Sequence, residues 1–256
     1  MKAFSEEQIL DNLRQQNDTS AQYYAAWWLG KMRSQHPDAI PLLIHTLSAL
    51  NKQPVDPDRR GVALNSIRAL GLLRDASASG DLLQLLQSDD YSVREEAARS
   101  LGSMKDPGAI KPICQLLSGG IDKAGREQKG TALLREPCEA LIEALGEIGY
   151  DSAMIQDTIL PFCQHPRPLV RAAACRSLLQ LTGCSQWAEE LETLLEHAEP
   201  LVRRGALLDL GATGWTAALP AIKTAAVEAS LKLVALRGLA ECSDDTAVLD
   251  AMDDLL

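Results

Sequence analysis

Aromatic side chains are scarce in this sequence, at 4% of 256 residues, and only two of them are Phe. Ala and Leu dominate instead, which favours close helix–helix packing over a sandwich or barrel. Basic charge is also short: 25 Lys and Arg against 35 Asp and Glu leave a net charge of −10. Phosphate backbones call for clustered cations, so nucleic acid is excluded as a partner, and an anionic membrane surface fits poorly. No apolar run reaches the ~18 residues of a transmembrane helix, so membrane insertion is excluded as well. The opening segment Met1-Lys2-Ala3-Phe4-Ser5-Glu6-Glu7 places acids where a signal peptide would have its apolar stretch. A cytoplasmic protein is expected.

The familiar catalytic signatures are missing too. Six cysteines stand at 114, 138, 163, 175, 184 and 242 without a CxxC pair. Cys138, Cys163 and Cys175 fall in apolar helical patterns, and the set reads as buried, reduced thiols. His36, His45, His165 and His197 show no HxxxH or HExxH spacing, so no metal site is expected. There is no Ser-His-Asp order and no nucleophile elbow, and the catalytic residue stays unassigned. The phrase Gly125-Arg126-Glu127-Gln128-Lys129-Gly130-Thr131 faintly echoes a phosphate-binding loop. It lacks the Lys before Thr and a preceding strand, which argues against a nucleotide site.

What the chain does contain is a repeat. The phrase Val-Arg-x-x-Ala-Ala-x-x-Leu-Gly is clearest from Val93-Arg94 to Leu101-Gly102, returns from Val202-Arg203 to Leu210-Gly211, and appears again from Val170-Arg171. Counting weaker copies, the phrases end at positions 30, 71, 102, 146, 179, 211 and 240. The period is near thirty residues. Two longer steps hold loop insertions, one at 51–58 and one at 119–135. The Ala and Leu positions share one helical stripe, and small Ala lets neighbouring helices approach. Turn residues precede the better copies, such as Asp89-Asp90 and Glu199-Pro200, and suit helix entry. The expected fold is all-α, a HEAT-like alpha-alpha superhelix (alpha-solenoid) of about seven helix pairs, running as one array through 1–256. Asp244 to Leu256 forms a last, acidic capping helix.

Aligning the copies exposes a surface. The seventh slot holds Trp27, Arg68, Arg99, Glu143, Arg176, Leu208 and Arg237. A slot this rich in charge points away from the core. The third slot holds Tyr23, Leu64, Glu95, Glu139, Ala172, Arg204 and Leu233, and slots three and seven are neighbours on one helix face. Second helices of solenoid repeats line the usual binding side. Tyr23 and Trp27 therefore begin a row that continues through Arg68, Glu95 and Arg99. Aromatic, cationic and acidic groups in one groove suit a flat, conjugated ligand with carboxylates. Taken slot by slot, Glu95 with Arg99 also reads as an ordinary surface pair, and the second-slot arginines Arg94, Arg171 and Arg203 read as structural.

At Tyr23-Tyr24-Ala25-Ala26-Trp27-Trp28-Leu29-Gly30-Lys31-Met32-Arg33 the sequence resembles the E/F-type phycobilin lyases, on the E side of that family. The resemblance covers essentially the whole chain. It implies a heterodimer with an F-type lyase subunit that binds phycocyanobilin, a linear tetrapyrrole with two propionates. It further implies transfer of that bilin to a cysteine of the apo-phycocyanin alpha subunit as a thioether. Phycocyanobilin would then be a transferred substrate, with no intrinsic cofactor and with the nucleophilic thiol on the acceptor protein. The candidate bilin- or partner-binding residues are Tyr23, Tyr24, Trp27, Trp28 and Arg33, followed by Arg68, Glu95 and Arg99. Two other uses remain open at this point: a bilin-handling protein of phycobilisome turnover, and a non-catalytic HEAT-repeat scaffold in which the Trp pair anchors a partner. In isomerising members of the family, the isomerase activity resides in the F-type partner.

Overall fold

The computed structural model describes residues 4–52 and 54–256. Met1, Lys2 and Ala3 of the opening segment, and Gln53 of the 51–58 insertion, lie outside the described residues. Among those described, sixteen α-helices and five short 3₁₀ turns account for the regular structure, with no named strand.

The helices come in pairs. α1 (Glu6–Arg14) packs on α2 (Thr19–Lys31), α3 (Ala39–Leu47) on α4 (Pro57–Leu73), and α5 (Ser79–Leu85) on α6 (Tyr91–Met104). α7 (Ile110–Leu116) leads through the one-turn α8 (Gly120–Lys123) to α9 (Cys138–Ile148). α10 (Ala153–Ile159), prolonged by the 3₁₀ turn Leu160–Gln164, pairs with α11 (Pro168–Thr182). α12 (Ser185–Leu195) packs on α13 (Pro200–Ala212), and α14 (Leu219–Thr224) on α15 (Ala229–Glu241). α16 (Thr246–Asp253) closes the order as the acidic helix expected there, burying Val248 and Ala251. Seven second helices thus carry the seven repeat phrases. The chain divides into two compact units, one ending at Ile113 and the other spanning Cys114–Leu256. Within the first, α2, α4 and α6 pack in sequence; within the second, α9, α11, α13 and α15 do so.

The phrase explains the packing. Ala97, Ala98 and Leu101 are fully buried on the inner stripe of α6. Its terminal Gly marks the place where the next second helix comes closest. A Cβ on Gly71 would stand 2.7 Å from the Ser100 Cα, and one on Gly146 would stand 2.8 Å from the Ser177 Cα. Only glycine fits there. The two serines use the proximity: Ser100 Oγ donates to the Ile67 carbonyl and Ser177 Oγ to the Ile142 carbonyl, each at 2.9 Å.

Helix entries follow the residues in front of them. Asp90 caps α6 by accepting from the Ser92 amide at 3.0 Å. Arg60 grips the same carboxylate from α4 through Nε at 2.5 Å and Nη2 at 2.7 Å, and holds it below the ordinary carboxylate range. The second-slot arginines are structural. Arg94, Arg171 and Arg203 each donate from Nη1 to a carbonyl of the preceding turn: Ser88 at 2.7 Å, His165 at 2.9 Å and His197 at 2.8 Å. Those carbonyls lie in the turn that leads into the second helix, outside the hydrogen bonding of the helix before it.

The 119–135 insertion is more ordered than a plain loop. It carries α8 and an isolated antiparallel bridge between Glu127 and Leu134. His165, only 1% exposed, pins it. Its Nε2 lies 3.0 Å from the Gly125 carbonyl, and its Nδ1 accepts from the Arg167 amide at 3.0 Å. A neutral ring with the proton on Nε2 satisfies both. Arg167 Nη2 then reaches Glu127 Oε1 at 2.7 Å and the Ala132 carbonyl at 2.5 Å. The phrase that echoed a phosphate loop is therefore a pinned hairpin. Replacing His165 by Ala leaves a buried carbonyl and an amide unpaired and opens a void, at a cost of about 2 kcal/mol. Urea unfolding of the chain is expected to show that loss, together with faster proteolysis inside 119–135.

All six cysteines are free. Cys138 and Cys175 are buried and Cys163 and Cys114 partly so, but Cys184 and Cys242 are exposed, against the expectation of a fully buried set. Cys184 precedes α12 and Cys242 follows α15, so both sit at helix ends in connecting turns. Among the described residues, no helix is long and apolar enough to cross a membrane.

Candidate functional site

Asp18 caps α2, its side chain accepting from the Ala21 amide at 2.9 Å. From that start the helix turns Ala25, Ala26, Leu29 and Gly30 inward. The remaining arc must then carry Tyr23, Tyr24 and Trp27 outward, and they are 46%, 41% and 43% exposed. Tyr24 and Trp27 lie with ring centroids 5.6 Å apart and tilted by 35°. Phe4 joins them, 6.2 Å from Tyr24. Exposed aromatic rings this close together are more than the scattered exposure usual for single apolar side chains. Phe4 has no place in the repeat, so slot alignment passed over it. The signal for it was the capping box that Ser5 forms with Gln8, which fixes the residue just ahead of α1.

The other candidates fall in different places. Trp28 is half-buried, unlike its exposed neighbours. Arg33 lies beyond the end of α2 in the left-handed region at φ 53°. Among the described residues, no hydrogen bond or ion pair ties its side chain to the rings.

Arg68 on α4 continues the row. Its Nη2 donates to Glu96 Oε1 at 2.5 Å, and Glu96 is mostly buried while Arg68 stays half exposed. Glu96 first, with smaller contributions from Tyr23 and Glu95, holds the Arg68 guanidinium above its ordinary value. Tyr23 and Glu95 thus flank Arg68, and Arg99 meets Glu95 at 3.6 Å. The buried Asn65 amide ties α4 to α2 at this point, donating to the Tyr23 carbonyl at 2.9 Å. The first unit therefore brings Tyr23, Arg68, Glu95 and Arg99 into one row across α2, α4 and α6. Glu96 is the member that sequence reasoning missed. It sits in the fourth slot, and its partner lies on another helix, where spacing along one helix is blind.

Slot seven behaves differently in the second unit. Arg237 is 73% exposed, but Arg176 is only 12% exposed and turns into carboxylates of α9 and α13. The expectation that this slot always points outward fails at Arg176, because acids on both neighbouring helices give its charge a partner below the surface.

Chemically, the first unit offers an apolar aromatic face next to a guanidinium. Arg68 uses one terminal nitrogen on Glu96 and keeps further N–H donors for a second, planar acceptor. Burial pushes the Cys138 thiol up to about 12, so it stays protonated. Among the described residues no three His, Cys, Asp or Glu side chains are grouped to hold a metal ion.

Known proteins share this architecture. Residues 49–129 and 157–240 match HEAT repeats, and residues 21–49 match the PBS lyase HEAT-like repeat. The bilin biosynthesis protein RpcE of Synechococcus sp. (strain WH8020) is 60% identical over 252 residues, covering 98% of this chain and 95% of that protein. The phycocyanobilin lyase subunit alpha of Picosynechococcus sp. is 40% identical over 268 residues, covering 100% of this chain and 97% of that protein. A chain in the solved complex of CpcE and CpcF of phycocyanin lyase from Nostoc sp. PCC7120 superposes with a TM-score of 0.86 at 38% identity. That match covers 100% of this chain and 96% of the other.

Proposed function

The chain belongs to the family of phycocyanobilin lyase alpha subunits, and from that membership we propose how its surface is used. It is one subunit of a heterodimeric bilin lyase, paired with an F-type subunit. The heterodimer holds phycocyanobilin and delivers it, in the cytoplasm, to a cysteine of the apo-phycocyanin alpha subunit. The observation that carries this use of the first unit is the exposed Tyr23, Tyr24 and Trp27 face, continuous with a half-free Arg68.

The reaction asks little of the lyase by way of reactive groups. The acceptor thiol adds across the exocyclic double bond of the bilin's ring A. A carbon–sulfur bond forms, the thiol proton ends on the adjacent ring carbon, and nothing leaves. The chain's contribution is to hold the bilin extended and aimed, an orientation effect worth roughly 7 kcal/mol or more in favourable cases. Aromatic rings cover the conjugated faces. Arg68, steadied by Glu96, receives a propionate through its open donors. Arg99 beside Glu95 supports the far end of the row.

Reconstitution tests the proposal. The chain is co-produced with phycocyanobilin and the apo-phycocyanin alpha subunit, with and without an F-type partner, and covalent bilin is scored by zinc fluorescence on a denaturing gel. Correctly absorbing holo-subunit only when both chains are present is the expected result. A stable complex with the partner that yields no adduct, even though it binds bilin, would point to bilin handling without transfer. A complex that binds no bilin would leave a scaffold.

A further inference from the structure

Where the first two helix pairs meet, the first unit forms a cavity of about 200 Å³. Its walls come from the turn between α1 and α2, the end of α3 with the 3₁₀ turn after it, and the start of α4. Leu13, Ala49 and Val62 supply the apolar part. Gln16, Lys52 and Arg59 bring nitrogen donors to it, and His45 adds an imidazole. The chain carries 35 acids against 25 bases, yet among the described residues no Asp or Glu lines this cavity.

The cationic wall is braced by the chain itself. Gln15 holds the α1–α2 turn: its Nε2 donates to the Asn12 carbonyl at 2.9 Å, and its Oε1 accepts from the Asn17 and Asp18 amides at 2.7 Å and 2.8 Å. Gln22, buried on α2, donates from Nε2 to the Gln15 carbonyl at 2.6 Å. Gln16 sits in that turn and accepts from Arg59 twice, through Oε1 from Nη1 at 3.1 Å and through its carbonyl from Nη2 at 3.2 Å. Both acceptors are neutral, so the guanidinium is oriented without being neutralised. Those bonds leave its other N–H groups without an acceptor among the described residues. Lys52 makes no ion pair or hydrogen bond through its ammonium there either. Asp56 caps α4 by accepting from the Arg59 amide at 2.9 Å, and neither it nor Asp58 lines the cavity.

As a tie between α4 and the α1–α2 turn, Arg59 needs no ligand. The tie does not account for Lys52 on the same cavity, or for a cationic recess free of acids in an acidic chain. Size narrows the occupant. Recesses for drug-sized ligands run to about 300–1,000 Å³, so this one is too small for a bilin and suits a compact ion. We propose that Arg59 and Lys52, with Gln16 and His45 lining the same recess, form a binding site for a small oxyanion of the phosphate or carboxylate kind. Its oxygens take the open N–H groups of Arg59 together with the Lys52 ammonium. The bound ion links the 51–58 insertion, which carries Lys52, to the start of α4 and the α1–α2 turn. By mass action it stabilises the first two helix pairs. The site lies wholly within the first unit and stands whether or not the chain handles bilin.

Isothermal titration of the full chain with sodium phosphate, at an ionic strength held constant with chloride, tests the site. Saturable binding of a single phosphate is expected. Lys52→Gln should weaken it about tenfold, and Arg59→Gln by at least as much, since each removes a charge-assisted hydrogen bond. Lys52 is exposed and its side chain bonds to nothing among the described residues, so its variant probes the ion without touching the fold. Thermal unfolding in chloride checks that Arg59→Gln, which also loses the tie to Gln16, stays folded. A parallel titration with sodium acetate identifies the source: tighter phosphate binding assigns the site to a phosphate, tighter acetate binding to a carboxylate. Absence of saturable binding by either ion would overturn the proposal, as would equal affinity in the wild type and both variants. A phosphate effect that never saturates and raises all three thermal midpoints alike would overturn it too, being general exclusion of the salt from the protein surface.

Discussion

Trp27→Ala is expected to cut bilin transfer by the heterodimer about tenfold to a hundredfold while leaving the thermal midpoint of the chain within about 2 °C of the wild type. Trp27 is 43% exposed, its ring lies beside that of Tyr24, and it is not among the buried core residues, so the core depends little on it. Exposed positions of this kind usually change stability by no more than about 0.5 kcal/mol. An aromatic face lost from a conjugated ligand costs roughly 1.5 to 3 kcal/mol in binding, by analogy with base stacking, which converts to the stated factor. Trp28 is the control. It is half-buried, so Trp28→Ala should lower the midpoint measurably, and a double substitution of both would mix the two effects. Transfer assays and circular dichroism melts on the single variants separate them. Full transfer by Trp27→Ala would remove the aromatic face from the mechanism.

Arg176→Met is expected to destabilise the second unit by about 3 kcal/mol at pH 8, and by clearly less at pH 5.5. Removing one member of a partly buried ion cluster leaves the others uncompensated, which costs roughly 3 to 5 kcal/mol when burial is complete. The sign of the pH effect follows from Asp209. Its folded value, about 7, lies above the ordinary 3.8, because burial and Glu143 outweigh Arg176. The fold therefore holds that proton more tightly than the unfolded chain does. The group is least costly below about pH 4, and its contribution falls as pH rises through 7. Without Arg176, Glu147 and Asp209 lose the cation they share, so the penalty concentrates above pH 7, where Asp209 is ionised. Near pH 5.5 Asp209 takes up a proton and the deficit narrows. Urea unfolding at the two pH values measures the difference. An equal loss at both would mean that packing of the arginine stem, rather than charge, is what the cluster contributes.

Much of the architecture was legible because it is written at short range. The Ala and Leu stripe and the recurring Leu-Gly fix seven second helices, and the insertions stand where the step between copies lengthens. The role of Gly71 and Gly146 emerged only with the neighbouring helix, since the atom that excludes a side chain belongs to Ser100 or Ser177, about thirty residues away. The same limit applied at the site. Tyr23 and Trp27 stood out as large aromatics in a slot otherwise rich in charge. Glu96 and Phe4 did not, because one acts across helices and the other precedes the repeat. Arg176 shows the converse error: a charged slot was read as solvent-facing, whereas Glu147 and Asp209, distant in sequence, turn it inward. The hairpin at 119–135 looks like a loop along the chain because its pin, His165, is supplied from 40 residues beyond Gly125.

The central claim is that the outward rings of α2 meet the bilin. Hydroxyl-radical footprinting tests it on the free chain, on the heterodimer, and on the heterodimer with phycocyanobilin bound. Labelling of Tyr23, Tyr24 and Trp27 is expected to persist in the heterodimer and to fall sharply only when bilin is added. Protection already complete in the bilin-free heterodimer, or labelling unchanged while bilin is bound, would contradict the claim and assign the rings to the partner or to neither.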